Sequence, residues 1–160
     1  MPSWPGTSAP GLADMAVNGE VRGDAVLRYR PATVNDVPLL ARLNRELIDD
    51  EGHRNPMSVS QLEARMRKWL EWEYRVALFE RKGRVVAYVL YRPQGGDIFL
   101  RHLYVVRDAR RQGIATAVMR TLARDVWPSN ARIALDVLVG SSGALAFYQT
   151  LGFQPFSLSL

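Results

Sequence analysis

Three β-rich runs follow one another in the middle of the chain, and this succession most limits the folds available to it. The runs span Tyr74–Glu80, Arg84–Tyr91 and Ile98–Val106. Only Arg81-Lys82-Gly83 separates the first two, and a turn at Gln94-Gly95-Gly96 precedes the third. Connections this short join antiparallel neighbours, whereas a parallel pair needs a long crossover. The sequence therefore predicts a hairpin followed by a third strand of the same sheet.

Helices and further strands flank this group on both sides. A strand at Ala25–Arg30 is followed by two helices, each opened by a capping-box pattern: Thr33 with Asp36, and Ser58 with Gln61. After the third strand we predict a helix over Gly113–Val126, a strand over Ala131–Val139, a helix over Ser142–Leu151 and a strand over Phe153–Leu160. The order is β-αα-βββ-α-β-α-β, which predicts an α/β fold with a mixed sheet.

The chain has 160 residues, a length typical of one domain. Residues 1–24 are rich in proline and glycine and lack periodicity, so we predict a flexible N-terminal leader before a single domain over 25–160. No apolar run approaches the ~20 residues of a membrane helix, and the start does not resemble a signal peptide. We expect a cytoplasmic protein without a membrane partner.

Composition excludes several kinds of chemistry. The sequence contains no cysteine, so disulfides, thiolate metal sites and a cysteine nucleophile are excluded. His53 and His102 are its only histidines, and we expect no metal. A net charge of +5 is compatible with a phosphorylated ligand or with nucleic acid. The arginines are scattered rather than clustered, which argues against a nucleic-acid partner.

The most informative segment runs from Leu103 to Thr116. A strand ends there in a short loop, Arg107-Asp108-Ala109-Arg110-Arg111-Gln112, and Gly113 and Ala115 open the following helix. The first N–H groups of a helix lack internal partners and carry positive partial charge, and small side chains let phosphate oxygens approach them. This pattern predicts an anion site built mainly from main chain. The alternative is a helix that packs on a sheet through small residues.

The segment Arg110-x-x-Gly113-x-Ala115 after Leu103-Tyr104-Val105 resembles the [Q/R]-x-x-G-x-[G/A] motif of the GCN5-related N-acetyltransferases. A second segment, Ala146-Phe147-Tyr148-Gln149-Thr150-Leu151-Gly152-Phe153, is similar to that family's F-Y-x-x-x-G-F segment. The element order also matches from Ala25 to Leu160. The resemblance thus implies an N-acetyltransferase that moves the acetyl group of acetyl-CoA to a primary amine.

The resemblance also implies a site. The strand carrying Leu103 would splay away from Ala131–Val139, and the pantetheine arm of acetyl-CoA would lie in the gap. By position in the motifs, the cofactor would contact Leu103, Tyr104, Val105, Arg110, Arg111, Gln112, Gly113, Ile114, Ala115, Thr116, Ser141 and Tyr148. The Leu103 N–H would hold the thioester oxygen, and Val105 would pair with pantetheine amides. Relatives often carry asparagine where this chain has Ser141.

Tyr148 aligns with the family's usual general acid. Its phenol would supply the proton that the leaving thiolate takes; the unperturbed pKa is ~10 for a tyrosine and ~8.5 for a thiol. The alternative for Tyr148 is a core aromatic residue at the end of a helix. Without cysteine, an acetyl-cysteine relay is excluded, so we expect direct attack of the amine in a ternary complex.

The general base stays open. The family often has an acidic residue on the strand before Leu103, where this chain has Phe99 and Arg101 with His102 beside them. His102 titrates in a suitable range but strand alternation can turn it to the other face. The other candidates are Asp97, Asp136, Glu51 and His53, each acting through water, or the absence of a dedicated base.

The acceptor is not identified by the sequence. Asp49-Asp50-Glu51 lies between the first two helices, a region that shapes the acceptor site in the family, so a cationic amine is one expectation. The alternative is that these carboxylates are only solvated. The stripe Leu62, Met66, Trp69 and Leu70 has the spacing of a core or interface face, which leaves monomer and homodimer open.

Two functions of other classes compete with catalysis. The chain could be a non-catalytic acyl-CoA-binding or regulatory module on the same fold, which the missing acidic base favours and Tyr148 argues against. A small basic nucleic-acid binder would show strong, salt-dependent affinity.

Overall fold

A computed structural model of the chain describes residues 16–17, 26–52, 54–138 and 142–155. Its centre is a six-stranded sheet in the order β1-β2-β3-β4-β5-β6. The strands are β1 Ala16–Val17, β2 Leu27–Pro31, β3 Arg75–Arg81, β4 Arg84–Gln94, β5 Asp97–Val105 and β6 Ile133–Leu135. Neighbours are antiparallel from β1 to β5, whereas β5 and β6 are parallel. The predicted mixed α/β fold is confirmed.

Four α-helices accompany the sheet: α1 Val37–Asp50, α2 Val59–Glu71, α3 Ile114–Thr121 and α4 Ser142–Thr150. Both predicted capping boxes are present. Ser58 accepts from the Gln61 N–H at the start of α2, and Thr33 opens the 3₁₀ turn Val34–Asp36 that leads into α1. A second 3₁₀ turn, Arg107–Ala109, lies between β5 and α3. These local signals are readable in the sequence because each needs only residues three apart.

The core lies on the central strands. Four consecutive residues of β3, Val76–Phe79, are buried, and so are six of β4, Val86–Tyr91. Because alternate side chains of a strand point to opposite faces, such unbroken burial shows that both faces of the sheet are covered. Strand β5 therefore pairs with a strand, β4, that is buried on both faces.

Strands β5 and β6 separate after three residue pairs. Their register joins Ile98 to Ile133, Phe99 to Ala134 and Leu100 to Leu135, and no described residue of β6 pairs beyond Leu100. β5 itself continues to Val105 along β4. The splayed strands expected from the family resemblance are thus present, and no described strand lies beside the last five residues of β5 on the edge away from β4.

Three predicted elements differ from the structure. The helix predicted over Gly113–Val126 is α-helical only to Thr121 and continues as a π-helix over Leu122–Val126, where the Trp127 N–H donates to the Leu122 carbonyl at 2.7 Å. The strand predicted over Ala131–Val139 is wrong in length, since only Ile133–Leu135 pairs. Residues 153–155 are not in a strand, and residues 156–160 lie outside the described part.

The N-terminal leader stays a prediction. Residues 1–15 and 18–25 lie outside the described part, whereas Ala16 pairs with Arg28 and Val17 with Leu27 at the edge of the sheet.

Candidate active site

A cleft of about 1170 Å³ opens where β5 and β6 diverge. Its walls are the free half of β5, the loop and first turn of α3, the residues after β6, and α4. Most of the predicted site residues line it: Leu103, Tyr104, Val105, Arg110, Arg111, Gly113, Ile114, Ala115, Thr116 and Tyr148. With the end of α1, which also lines it, five separate parts of the chain meet in one cavity, whose volume is slightly above the usual range of about 300–1,000 Å³ for ligand sites.

One described residue of the predicted site, Gln112, does not line the cleft. The side chain of Gln112 accepts a hydrogen bond from the Arg81 guanidinium, so it belongs to the junction between the loop and β3. Ser141 lies outside the described residues, and its expected contact stays a prediction.

The hydrogen-bond alternation of β5 determines which backbone groups face the gap. The Val106 N–H donates to the Val86 carbonyl at 2.9 Å, and the register continues through Tyr104 opposite Tyr88. In an antiparallel pair, hydrogen-bonded and non-hydrogen-bonded positions alternate. Leu103 and Val105 are consequently at positions whose N–H and C=O point away from β4. Their polar groups face the open edge of the cleft.

The loop after β5 presents unpaired amides. Arg111 and Gly113 have left-handed backbone angles, with φ of 63° and 76°, and no side chain caps α3. Within the described residues, none of the N–H groups from Arg111 to Thr116 donates to a protein acceptor. A run of unpaired amides at a helix start is a concave anion site. The local geometry fits a pyrophosphate.

Arg110 has a structural partner as well as a place in the cleft. Its Nε donates to the Val105 carbonyl at 2.9 Å, and its Nη2 donates to the Asp50 carboxylate at the end of α1. Arg107 donates to the same carboxylate at 2.8 Å. Burial acts to raise the pKa of Asp50, but the hydrogen bonds from the two arginines outweigh it and lower that pKa. Asp50 thereby ties α1 to the loop after β5, residues 107–113, which we call the anion loop.

This ion-pair network bears on the acidic segment Asp49-Asp50-Glu51. Asp49 pairs with Arg45 at 2.9 Å, one helical turn away, and Asp50 pairs as described above. Glu51 lines the cleft beside Asp50. The engagement of Asp49 and Asp50 favours the interpretation of the acidic segment as structural.

Tyr148 is on α4, on the wall opposite β5. Its ring packs edge-to-face against Phe147 and Phe153, with centroids 5.0 Å and 5.5 Å away. Burial, and then the negative charge of Glu51, raise the pKa of Tyr148 to about 12. The hydroxyl therefore stays protonated at any physiological pH, so it can donate a hydrogen bond into the cleft.

His102 lines the cleft, but its environment disfavours protonation. Its Nδ1 is 3.1 Å from the Tyr88 hydroxyl, and its ring lies edge-on to Trp69 with centroids 5.7 Å apart. Burial, followed by the charges of Arg101 and Arg65, lowers the pKa of His102 to about 3. Neutral His102 is thus a poor proton acceptor near pH 7.

The remaining candidate bases are divided between the cleft and the surface beyond it. Glu51 and Asp136 both line the cleft. Asp97 instead accepts from the Arg132 N–H at 3.0 Å, at the far end of β5, and His53 lies outside the described residues. In the part of the chain that the structure describes, no three metal-ligating side chains come together.

Sequence reasoning missed an arginine–tryptophan cluster formed by Arg65, Trp69 and Arg101, of which Arg101 lines the cleft. The two guanidinium carbons lie 4.4 Å and 4.8 Å from the centroid of the Trp69 ring. The sequence alone places Trp69 in a core or interface stripe and identifies Arg101 only as a departure from the family pattern. An arginine inside an otherwise apolar strand was the available signal.

Comparisons with known proteins agree with this geometry. The profile of the acetyltransferase (GNAT) family matches residues 41–153. No curated protein sequence matches the chain. In addition, no described helix has the length and apolar character needed to cross a bilayer.

Solved structures share the fold at low identity. A possible acetyltransferase from Clostridium difficile 630 superposes with a TM-score of 0.69 at 20% identity, over 84% of this chain and 94% of that chain. A predicted acetyltransferase from Clostridium acetobutylicum, solved with acetyl-CoA, gives 0.64 at 19% identity over 84% and 94%. An aminoglycoside N-acetyltransferase in complex with CoA gives 0.66 at 15% identity over 88% and 95%.

Proposed function

Because the chain belongs to the GNAT family of acetyltransferases, we propose that it transfers the acetyl group of acetyl-CoA to a primary amine by direct attack in a ternary complex. The observation that carries this proposal is the continuity of the cleft. It joins the strandless edge of β5 to the unpaired amides at the start of α3. An extended amide chain that ends in a pyrophosphate matches that sequence of groups.

The chain offers separate sites for the two parts of acetyl-CoA. The N–H groups from Arg111 to Thr116 would bind the pyrophosphate, and the Gly113 backbone leaves room for close approach. Val105 would pair with a pantetheine amide through its N–H, because its carbonyl already accepts from Arg110. The cofactor itself supplies a thioester carbonyl that an amine can attack.

The Leu103 N–H would stabilise the oxyanion. It points from β5 into the gap, two residues and about 6.6 Å from Val105 along the strand. A backbone donor fixed in a sheet does not have to reorganise when negative charge develops on the carbonyl oxygen. The C–N bond then forms, the C–S bond breaks, and the amine loses a proton.

Glu51 is the base that the geometry favours. Glu51 and Tyr148 both line the cleft, and the Glu51 charge helps to raise the pKa of Tyr148, whereas burial holds His102 neutral and weakly basic. Glu51 would pass the proton that it accepts from the ammonium through water to solvent. Tyr148 would donate a hydrogen bond to the departing thiolate sulfur from the opposite wall.

The proposal is tested by measuring acetyl-CoA consumption across a panel of primary amines, with the release of free thiol as the readout. We expect turnover with at least one amine, and a fall of about 10- to 100-fold in kcat/KM for Glu51→Gln. Asp49→Asn is the matched control, since Asp49 is paired with Arg45 and should keep kcat/KM within about twofold. Tight binding of acetyl-CoA without consumption over the whole panel would instead favour a non-catalytic acyl-CoA-binding module.

A further inference from the structure

The arginine–tryptophan cluster holds two cations that lack an acidic partner. Among the described residues, no carboxylate lies within ion-pair distance of Arg65 or Arg101. The Arg65 Nε is buried without a hydrogen-bond partner, and Arg101 donates to the neutral Tyr74 hydroxyl at 3.3 Å. Burial first and the Arg101 charge second lower the pKa of Arg65.

This arrangement differs from that of three arginines on or beside the loop after β5. Arg107 and Arg110 share Asp50, and Arg84 pairs with Asp108 on the same loop. Both guanidinium carbons lie within 4.8 Å of the centroid of one ring, so their like charges repel, and the Trp69 face offsets only part of that cost. A bound anion would remove both the repulsion and the unsatisfied donor.

The cluster lies at the acceptor end of the cleft. Arg101 lines the cleft and precedes Leu103 by two residues on β5. The anion loop begins at the other end of the strand, after Val105. An anion at Arg101 is therefore separated from the pyrophosphate amides by the Leu103 amide, where the acetyl group would be held.

We propose that the arginine–tryptophan cluster binds an oxyanion of the acceptor, so that the preferred substrate is a primary amine that also carries a carboxylate or phosphate. This inference rests on the proposed function. Guanidinium groups bind either oxyanion through paired N–H donors. Glu51 on the α1 side attracts the ammonium end of such a molecule. The cleft thus matches a zwitterion rather than a polycation.

The test compares amines that differ only in the anion. At saturating acetyl-CoA, kcat/KM is measured for β-alanine against β-alaninamide, phenylalanine against phenylalaninamide, and phosphoethanolamine against ethanolamine. We expect the acidic member to be preferred by at least about tenfold in one pair or more, the value of a charge-assisted hydrogen bond. The first two pairs report on carboxylate and the third on phosphate.

Variants of the cluster then assign the preference. In Arg101→Gln the acidic-to-neutral ratio falls toward 1, and Arg65→Gln gives the same change from a different element. The matched control is Arg92→Gln, because Arg92 also lies over an aromatic ring, 5.3 Å from that of Tyr74, but pairs with Glu73 outside the cleft. This control keeps the wild-type ratio.

Wild-type ratios of 1 or below in every pair, or ratios unchanged in both cluster variants, would overturn the inference while the proposed function stands. If no amine supports acetyl-CoA consumption, the proposed function fails instead. The anion site is then judged by calorimetric titration of the acidic amines in the presence of CoA. Binding weakened about tenfold or more by Arg101→Gln supports the site, and binding that is absent or unaffected refutes it.

Discussion

Replacing Tyr148 with phenylalanine tests the role of the phenol with little change in packing. The ring keeps its edge-to-face contacts with Phe147 and Phe153 at 5.0 Å and 5.5 Å, so only the hydroxyl is lost. With a pKa of about 12, the phenol is a weak acid toward a thiolate. Complete proton transfer from this phenol to a thiolate, whose conjugate thiol has a pKa of ~8.5, is uphill by about 5 kcal/mol. Tyr148 therefore acts chiefly as a hydrogen-bond donor to the leaving sulfur.

A hydrogen bond to a charged acceptor contributes about 1.5–3 kcal/mol, which predicts a fall of about 10- to 150-fold in kcat for Tyr148→Phe. The KM for acetyl-CoA should change little, because the bond strengthens only as charge develops on sulfur. Steady-state thiol release measures both constants. Tyr29→Phe, a buried tyrosine packed on Phe79, is the control for general effects of removing a hydroxyl. Undiminished kcat in Tyr148→Phe would refute the reasoning.

Two further predictions follow from the ionisable groups. Below the amine's pKa, kcat/KM should rise about tenfold per pH unit as the amine deprotonates. Because the pKa of Tyr148 is about 12, kcat/KM should not fall again up to pH ~10. A decrease in kcat/KM that begins near pH 8 would contradict this. Asp50→Asn should weaken acetyl-CoA binding by no more than about fivefold, since its ion pairs are largely exposed. Because its pKa is lowered on folding, the stabilisation from Asp50 is present above the unfolded-state value of ~3.9 and lost only at lower pH. A difference in Tm between wild type and Asp50→Asn that persists at pH 2 would contradict that assignment.

Local patterns predicted most of the elements, because capping and turn signals need only neighbouring residues. Thr33 with Asp36 and Ser58 with Gln61 form the boxes that their spacing indicates. The anion loop was also predictable, since Gly113 and the strand before it are adjacent in sequence. The length of β6 was not predictable from its own residues, because it depends on where pairing with β5 ends, which is at Leu100.

The substrate side of the cleft depends on contacts between distant segments. Arg65 lies one helical turn from Trp69 on α2, whereas Arg101 belongs to β5 and reaches Trp69 only because α2 packs on the sheet. The two partners of Asp50 are likewise nearly sixty residues away. No periodicity in the sequence encodes such meetings. The weak basicity of His102 has the same origin, since it depends on burial and on those two arginines.

Calorimetric titration with acetyl-CoA of the wild type, Gly113→Glu and Gly83→Glu tests the central claim most directly. Gly113 and Gly83 have nearly the same left-handed φ, 76° and 74°, so glutamate imposes similar backbone strain and the same charge at both. Only Gly113 lies among the unpaired amides; Gly83 is in the turn between β3 and β4. We predict micromolar binding by the wild type and Gly83→Glu, and binding at least about tenfold weaker in Gly113→Glu. Equal binding by the two variants, or no binding by the wild type, would contradict the account.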